Sequence, residues 1–408
     1  MRRSVGIAIA VFALVGASAS PAQAELGSGA VGRYIVVLKD GTDSNLLARL
    51  HTSELGVAVG HIYSSALRGY SAAMTEATKN RIARDPAVAW VQPDRVYRTT
   101  AQTTPTGVDR ADADLSGTAN IDGVDERTDV DVAVIDTGVD LDHPDLNVYR
   151  EGAENCSLLG LNPDDRNGHG THVAGTIGAL DDGNGVVGVA PGARIWPVKV
   201  LNDAGSGSTA DVVCGIDYVA AHADEIEVAN MSLGGAGVDD GNCGETEGDI
   251  EHQAICRAVA AGVTFVVAAG NDGADAKDSV PAAYDEVITV SALADFNGQP
   301  GGGAAATCRE DEDDTFADFS NFGADVDIIA PGTCIYSTWM NGGYNTISGT
   351  SMASPHVAGA AALYKSTHPQ ASPEQVKQAL QLAGTADWAW PSQDGDQTQE
   401  SLLNVADF

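Results

Sequence analysis

The chain has 408 residues, 43% of them hydrophobic, and a formal net charge of −35. That length suits one large domain with a smaller companion, and so acidic a balance argues against a nucleic-acid partner. Only 7 of the 57 Asp and Glu precede residue 101, against 11 of the 22 Lys and Arg, so residues 101–408 carry about −39 and residues 25–100 about +2.

From the start, Met1-Arg2-Arg3, an apolar run from Val5 to Ala17 and Ala22-Gln23-Ala24 read as a removed signal peptide over 1–24. The run is too short for a membrane anchor, so the expected destination is outside the cell. Tyr34–Leu38 reads as a strand stopped by Asp40-Gly41, and Asp43–Leu55 as a helix. Strands follow near 57–63 and 68–74, then a helix over Thr75–Ala83 and a last strand at Val88–Val91. This is a small α+β unit. Thr99–Pro105, polar and proline-punctuated, reads as a linker and cutting point.

After Asp129, short apolar runs (Val130–Ile135, Arg194–Leu201, Ile226–Leu233, Val263–Ala269, Val287–Val290, Val326–Ala330) alternate with helical stretches at 169–180, 209–223, 249–261 and 351–366. The alternation predicts a parallel sheet covered on both faces, with sites at the carboxyl ends of strands. The acidic, glycine-rich stretch 299–314 reads as a solvated surface loop, with a metal site as the minor option. All six cysteines follow residue 101, which in an exported chain implies disulfides. The pairing expected is Cys156–Cys214, Cys243–Cys256 and Cys308–Cys334, the second closing a short glycine- and acid-rich loop.

Three stretches carry chemistry. Val134-Ile135-Asp136-Thr137-Gly138 puts an aspartate just past a buried strand. Asn167-Gly168-His169-Gly170-Thr171-His172 puts a histidine at a glycine-flanked helix start. Gly349-Thr350-Ser351-Met352-Ala353-Ser354-Pro355 puts a serine at the start of an Ala- and Gly-rich helix, with Pro355 expected in its first turn. Together they supply orienting acid, general base and nucleophile; the hydroxyl needs the imidazole, and the imidazole a carboxylate. Asn271, after Val266–Gly270, offers an amide for an oxyanion.

Each piece has a bland reading. Ser351 alone is an N-cap, Asn271 a turn residue. Asp-Thr-Gly also belongs to aspartic proteases, which need two such motifs, and no second occurs. His169-x-x-His172 could ligate a metal but lacks a zincin glutamate. His172 and His356 read as packed or hydrogen-bonded. A catalytically silent scaffold is the competing class, which labelling by a phosphonyl reagent would exclude.

These motifs resemble the subtilisin-like serine proteases, of the secreted subtilisin/proteinase K type, from about Ala101 to Ala406. The resemblance implies an α/β catalytic domain (101–408) with a parallel sheet flanked by helices, preceded by an inhibitor-type, ferredoxin-like α+β propeptide (25–100). It implies Asp136, His169 and Ser351 as the triad and Asn271 as the oxyanion residue. Substrate would lie extended between Gly205-Ser206-Gly207 and Ser232-Leu233-Gly234. Ala268-Ala269-Gly270 would line a primary pocket favouring apolar side chains with broad specificity. The propeptide would assist folding, be cut off by the enzyme itself and remain as an inhibitor. Leu180–Pro191 has the length of the family's calcium loop, which implies ligands from Gln102, Asp145, Leu180, Asp182, Asn184 and Val186. That places the mature N-terminus near Ala101. Protein substrates, no membrane anchor and a monomer complete the expectation.

Overall fold

The computed structural model describes residues 31–94, 102–157, 162–389, 394–396 and 398–408. The expected signal peptide 1–24 and the expected mature N-terminus at Ala101 lie outside them. The chain divides into two compact units, Met1–Thr99 and Thr100–Phe408.

The first unit runs β1 (Val31–Leu38), α1 (Ser44–Leu55), β2 (Ala58–Tyr63), β3 (Gly69–Thr75), α2 (Glu76–Ile82), β4 (Val88–Pro93). Its antiparallel sheet has the order β2-β3-β1-β4, the ferredoxin-like arrangement. Asp43 caps α1 by accepting from the Asn45 and Leu46 N–H groups, and Gly56, at φ 67°, ends it in a left-handed turn. Val36, Leu38, Leu47, Tyr70, Met74, Ile82 and Val88 form its core.

The second unit begins with α3 (Thr106–Arg110), β5 (Asp131–Asp136), β6 (Glu154–Asn155), α4 (His169–Gly178), β7 (Arg194–Lys199), α5 (Thr209–Ala221), β8 (Val228–Met231) and β9 (Gly235–Ala236). It continues with α6 (Ile250–Ala260), β10 (Thr264–Ala268), β11 (Ser279–Val280), β12 (Ile288–Ala294), β13 (Thr315–Phe316) and β14 (Ile328–Pro331). A hairpin, β15 (Ile335–Trp339) and β16 (Gly343–Ile347), precedes α7 (Thr350–Thr367) and α8 (Pro373–Ala383). The six apolar runs each became a strand of the main sheet, which has the order β13-β12-β10-β8-β5-β7-β6 with β14 also on β12. All pairs are parallel except β12–β13.

Strand alternation builds two cores. Val132, Val134, Val228 and Val266 face α4, α7 and α8, whereas Ala133, Ile135, Ala229, Phe265 and Val267 face α5 and α6. From β5 the chain builds β6 and β7 on one side, then crosses to β8, β10, β12 and β14 on the other. The carboxyl ends of β5, β7 and β8 therefore border a topological switch point, where such sheets open a crevice.

Two expectations need correcting. Pro355 lies in the second turn of α7, because the helix already starts at Thr350. The stretch 299–314 is not wholly solvated: Asp311, Asp313 and Asp314 are buried. Asp313 accepts from the Phe296 and Ala304 N–H groups, and Asp314 pairs with buried Arg110. Inward-turned carboxylates here satisfy loop backbone that would otherwise be orphaned. The three disulfides are Cys156–Cys214, Cys243–Cys256 and Cys308–Cys334, the pairing expected. Among the described residues no helix is long and apolar enough to cross a membrane.

Candidate active site

Asp136 closes β5 and is fully buried. Its carboxylate accepts the Thr137 N–H at 2.6 Å and faces His169 Nδ1 at 2.8 and 3.0 Å. A carboxylate only accepts, so Nδ1 carries the hydrogen and Nε2 keeps a basic lone pair. Burial pulls the imidazole's pKa down, but the charge and hydrogen bond of Asp136, with Asp165 behind it, outweigh that and raise it. His169 opens α4, and the close approach depends on its neighbours being glycine. A Cβ on Gly168, at φ 104°, would sit 2.2 Å from the Trp339 ring, and one on Gly170 would sit 2.1 Å from the Gly138 carbonyl.

Asp165 holds this corner together, and the sequence reading missed it. It accepts from Thr137 Oγ1, from the Asn167, Gly168 and Thr171 N–H groups and from Thr171 Oγ1. Thr137 Oγ1 in turn accepts from the Gly170 N–H. The only available signal was an acid four residues before the histidine.

Ser351 is the second residue of α7, where unpaired N–H groups favour negative charge. Its hydroxyl donates to the Ser232 carbonyl at 3.2 Å rather than to His169, and Ser232 Oγ donates back to the Ser351 carbonyl at 2.8 Å. The second bond explains how Pro355 is tolerated. Its missing N–H would have bonded the Ser351 carbonyl four residues earlier, and the Ser232 hydroxyl takes that place. Asn271 is oriented by Thr350, whose N–H and hydroxyl both donate to Oδ1, at 2.8 and 3.1 Å. A backbone N–H can only donate, so the amide cannot be flipped and Nδ2 remains for a ligand.

Two adjoining pockets share Leu233–Ala236 and Val280 as their divide. One, of about 470 Å³, is lined by His169, Gly205, Ser206, Gly207, Ser232, Leu233, Gly234 and Glu251. The other, of about 520 Å³, is lined by Ala268, Ala269, Gly270, Asn271 and Ser351. Every residue expected at the triad, oxyanion or substrate positions therefore borders this cleft, except Asp136, which lies beneath His169.

His172 and His356 are buried and bonded to carbonyls, of Ile335 at 3.0 Å and of Met352 at 2.8 Å. Burial depresses their pKa to about 3 and about 4, so both stay neutral. Among the described residues, neither His169 nor His172 belongs to a cluster of three or more metal-ligating side chains.

Around the predicted calcium loop, the Gln102 and Thr103 N–H groups bond the Gly183 and Gly185 carbonyls. Among the described residues no hydrogen bond ends on the carbonyls of Leu180, Asn184 or Val186. Asp145 is buried, and its neighbours are the Val186 N–H, the Tyr344 hydroxyl and the charge of Asp182. Burial pushes its pKa up to about 7, with Asp182 adding to the effect. A buried carboxylate beside a second one and free carbonyls, without a cationic side chain, fits a hard divalent cation. Gln102 is also drawn in: Oε1 accepts from the Gly183 N–H, while Nε2 bonds Asp181.

Comparison with known proteins gives the family. The sequence profile of the Subtilase family matches residues 127–400, and that of Peptidase inhibitor I9 matches residues 33–100. Subtilisin NAT of Bacillus subtilis subsp. natto is 37% identical over 319 residues, 77% of this chain and 75% of its own length. An extracellular serine proteinase of Thermus sp. is 38% identical over 378 residues, 86% of this chain and 84% of its own. The crystal structure of a cold adapted subtilisin-like serine proteinase superposes with a TM-score of 0.52 at 32% identity, covering 77% of this chain and 93% of that one. The chain therefore belongs to the subtilase family, serine peptidases that hydrolyse peptide bonds, and carries an I9 inhibitor segment ahead of its peptidase domain.

Proposed function

We propose that the chain is a secreted, self-processing endopeptidase: signal peptide 1–24, inhibitory and chaperoning propeptide 25–100, and catalytic domain 101–408. Asp136, His169 and Ser351 form its triad. The observation that carries this is the buried Asp136 on His169 Nδ1, with Ser351 across one cleft at the switch point of the sheet. The Ser351 hydroxyl leaves the Ser232 carbonyl and gives its proton to His169 Nε2 as Oγ attacks the scissile carbonyl carbon. The resulting oxyanion accepts from Asn271 Nδ2 and the Ser351 N–H. His169 then protonates the departing amine, and water, activated by the same imidazole, hydrolyses the acyl-enzyme. Asp136 keeps the proton on Nδ1 throughout.

Substrate adds a strand between Gly205–Gly207 and Ser232–Gly234. Its first residue before the scissile bond enters the pocket of Ala268, Ala269 and Gly270, whose small apolar walls favour a broad range of apolar side chains. Calcium, held by Asp145, Asp182, the Gln102 amide and the carbonyls of Leu180, Asn184 and Val186, secures the 180–186 loop. The enzyme acts as a monomer on proteins, with its own propeptide as inhibitor. The test is secretion of the wild-type chain beside Ser351→Ala, with intact mass and casein hydrolysis recorded. Wild type should lose the segment before about residue 101 and digest casein, while the variant stays uncut and inert. Equal maturation of both without casein hydrolysis would refute the proposal.

A further inference from the structure

Glu251 lines the cleft, yet the peptidase mechanism leaves it without a task. It lies in the first turn of α6, only 9% exposed, with its N–H bonded to Asp249 Oδ1 at 3.0 Å. Among the described residues no hydrogen bond or ion pair ends on its carboxylate. The cleft it shares is lined by apolar Leu201, Val212, Leu233 and Val280 together with hydroxyl-bearing Ser206, Ser208 and Thr209.

The charged groups nearby offer it no cation. Asp249, on the same helix cap, repels it, and burial together with that repulsion pushes its pKa up to about 7. The Tyr284 hydroxyl is committed to Asp249 at 2.5 Å, and Asp211 on α5 is committed to Ser208. His169, the other titratable side chain lining this pocket, is committed to Asp136. A carboxylate on so buried a residue, without a protein partner, is costly unless something entering the cleft supplies one.

The substrate path of the preceding section, on which this reading rests, says what that is. Side chains of an extended peptide alternate between faces. The primary pocket and the Glu251 pocket lie on opposite sides of Leu233–Ala236, so Glu251 meets the second or fourth residue before the scissile bond. With the first residue level with Ser232, pairing residue by residue brings the fourth level with Gly235, in the Glu251 wall. We propose that Glu251 selects a cationic side chain, arginine or lysine, at the fourth residue before the scissile bond. Its aliphatic stem would lie on Leu233 and Val212 while the charged head meets the carboxylate.

The test uses the mature enzyme and two tetrapeptide anilides that share Ala-Ala-Phe and begin with arginine or leucine. At about pH 8.5 the arginine peptide should have the higher kcat/KM by about tenfold, or about 1.4 kcal/mol. The ratio should fall towards unity below about pH 6, as Glu251 is protonated; titration of His169 affects both peptides alike and cancels. Glu251→Gln should lower the ratio about tenfold at the higher pH. If that variant does not fold, the wild-type pH series decides alone. A ratio near unity at both pH values, with both peptides cleaved, overturns the selection by Glu251 and leaves the peptidase standing. So does an unchanged ratio in Glu251→Gln. Failure of the matured wild type to cleave either peptide refutes the peptidase proposal itself.

Discussion

Replacing Ser232 by alanine removes a single hydroxyl, but one that serves two partners. Its Oγ donates to the Ser351 carbonyl at 2.8 Å and accepts from Asn230 Nδ2 at 2.9 Å, and Asn230 is fully buried. Asn230 Oδ1 is separately held by Ser354 Oγ at 2.6 Å, so its amide cannot turn to compensate. Each orphaned group costs about 1–3 kcal/mol. Ser232→Ala should therefore lose roughly 2–6 kcal/mol, a fall in Tm of about 4–24 °C at about 2–4 °C per kcal/mol. The measurement is thermal unfolding of mature protein blocked at Ser351 with a phosphonyl reagent, so that self-digestion does not intervene. The sharper readout is a double-mutant cycle with Pro355→Ala. Alanine at 355 restores the N–H that bonds the Ser351 carbonyl, so Ser232→Ala should cost about 1 kcal/mol or more less in that background. Additivity within about 0.5 kcal/mol would show that the serine does not replace the missing helix bond.

If His169 is the general base of the proposed triad, its raised pKa should set the acid limb of activity, since the imidazole must be neutral to accept the proton. That limb should lie above the ordinary value of 6.5 in the pH profile of kcat/KM, and Asp165→Asn should move it down. The same shift stabilises the fold fully below 6.5, and the contribution is lost as pH rises through the folded-state pKa. For Asp145 the sign gives a calcium prediction. Without a cation, its raised pKa makes ionisation a penalty that builds from 3.8 up to about 7. Calcium would remove that penalty, so the Tm difference between calcium and chelator should be larger at about pH 8 than at about pH 5.5. An equal difference at both would argue against Asp145 as a ligand.

The chain determined its strands and helices by local pattern. Val132–Ile135 is apolar on both faces because both faces of a parallel strand are covered, and Ser351 opens a helix because the small residues after it continue one. The first unit could be read similarly, element by element, from alternation and caps. The triad candidates were legible because each sits in a short motif whose glycines are required by contacts close to it, such as Gly168 and Gly170. What sequence reading could not supply were relations across long separations. Ser232 and Ser351 are 119 residues apart, and only their meeting explains a proline in the second turn of α7. Asp165 becomes a cornerstone only once Thr137 and the start of α4 converge on it. Glu251 sits in an ordinary helical first turn, and the inward acids of 311–314 in an ordinary acidic stretch, until folding chooses their surroundings. Periodicity is a property of neighbouring residues, whereas burial and pairing of a polar group depend on what the rest of the chain brings to it.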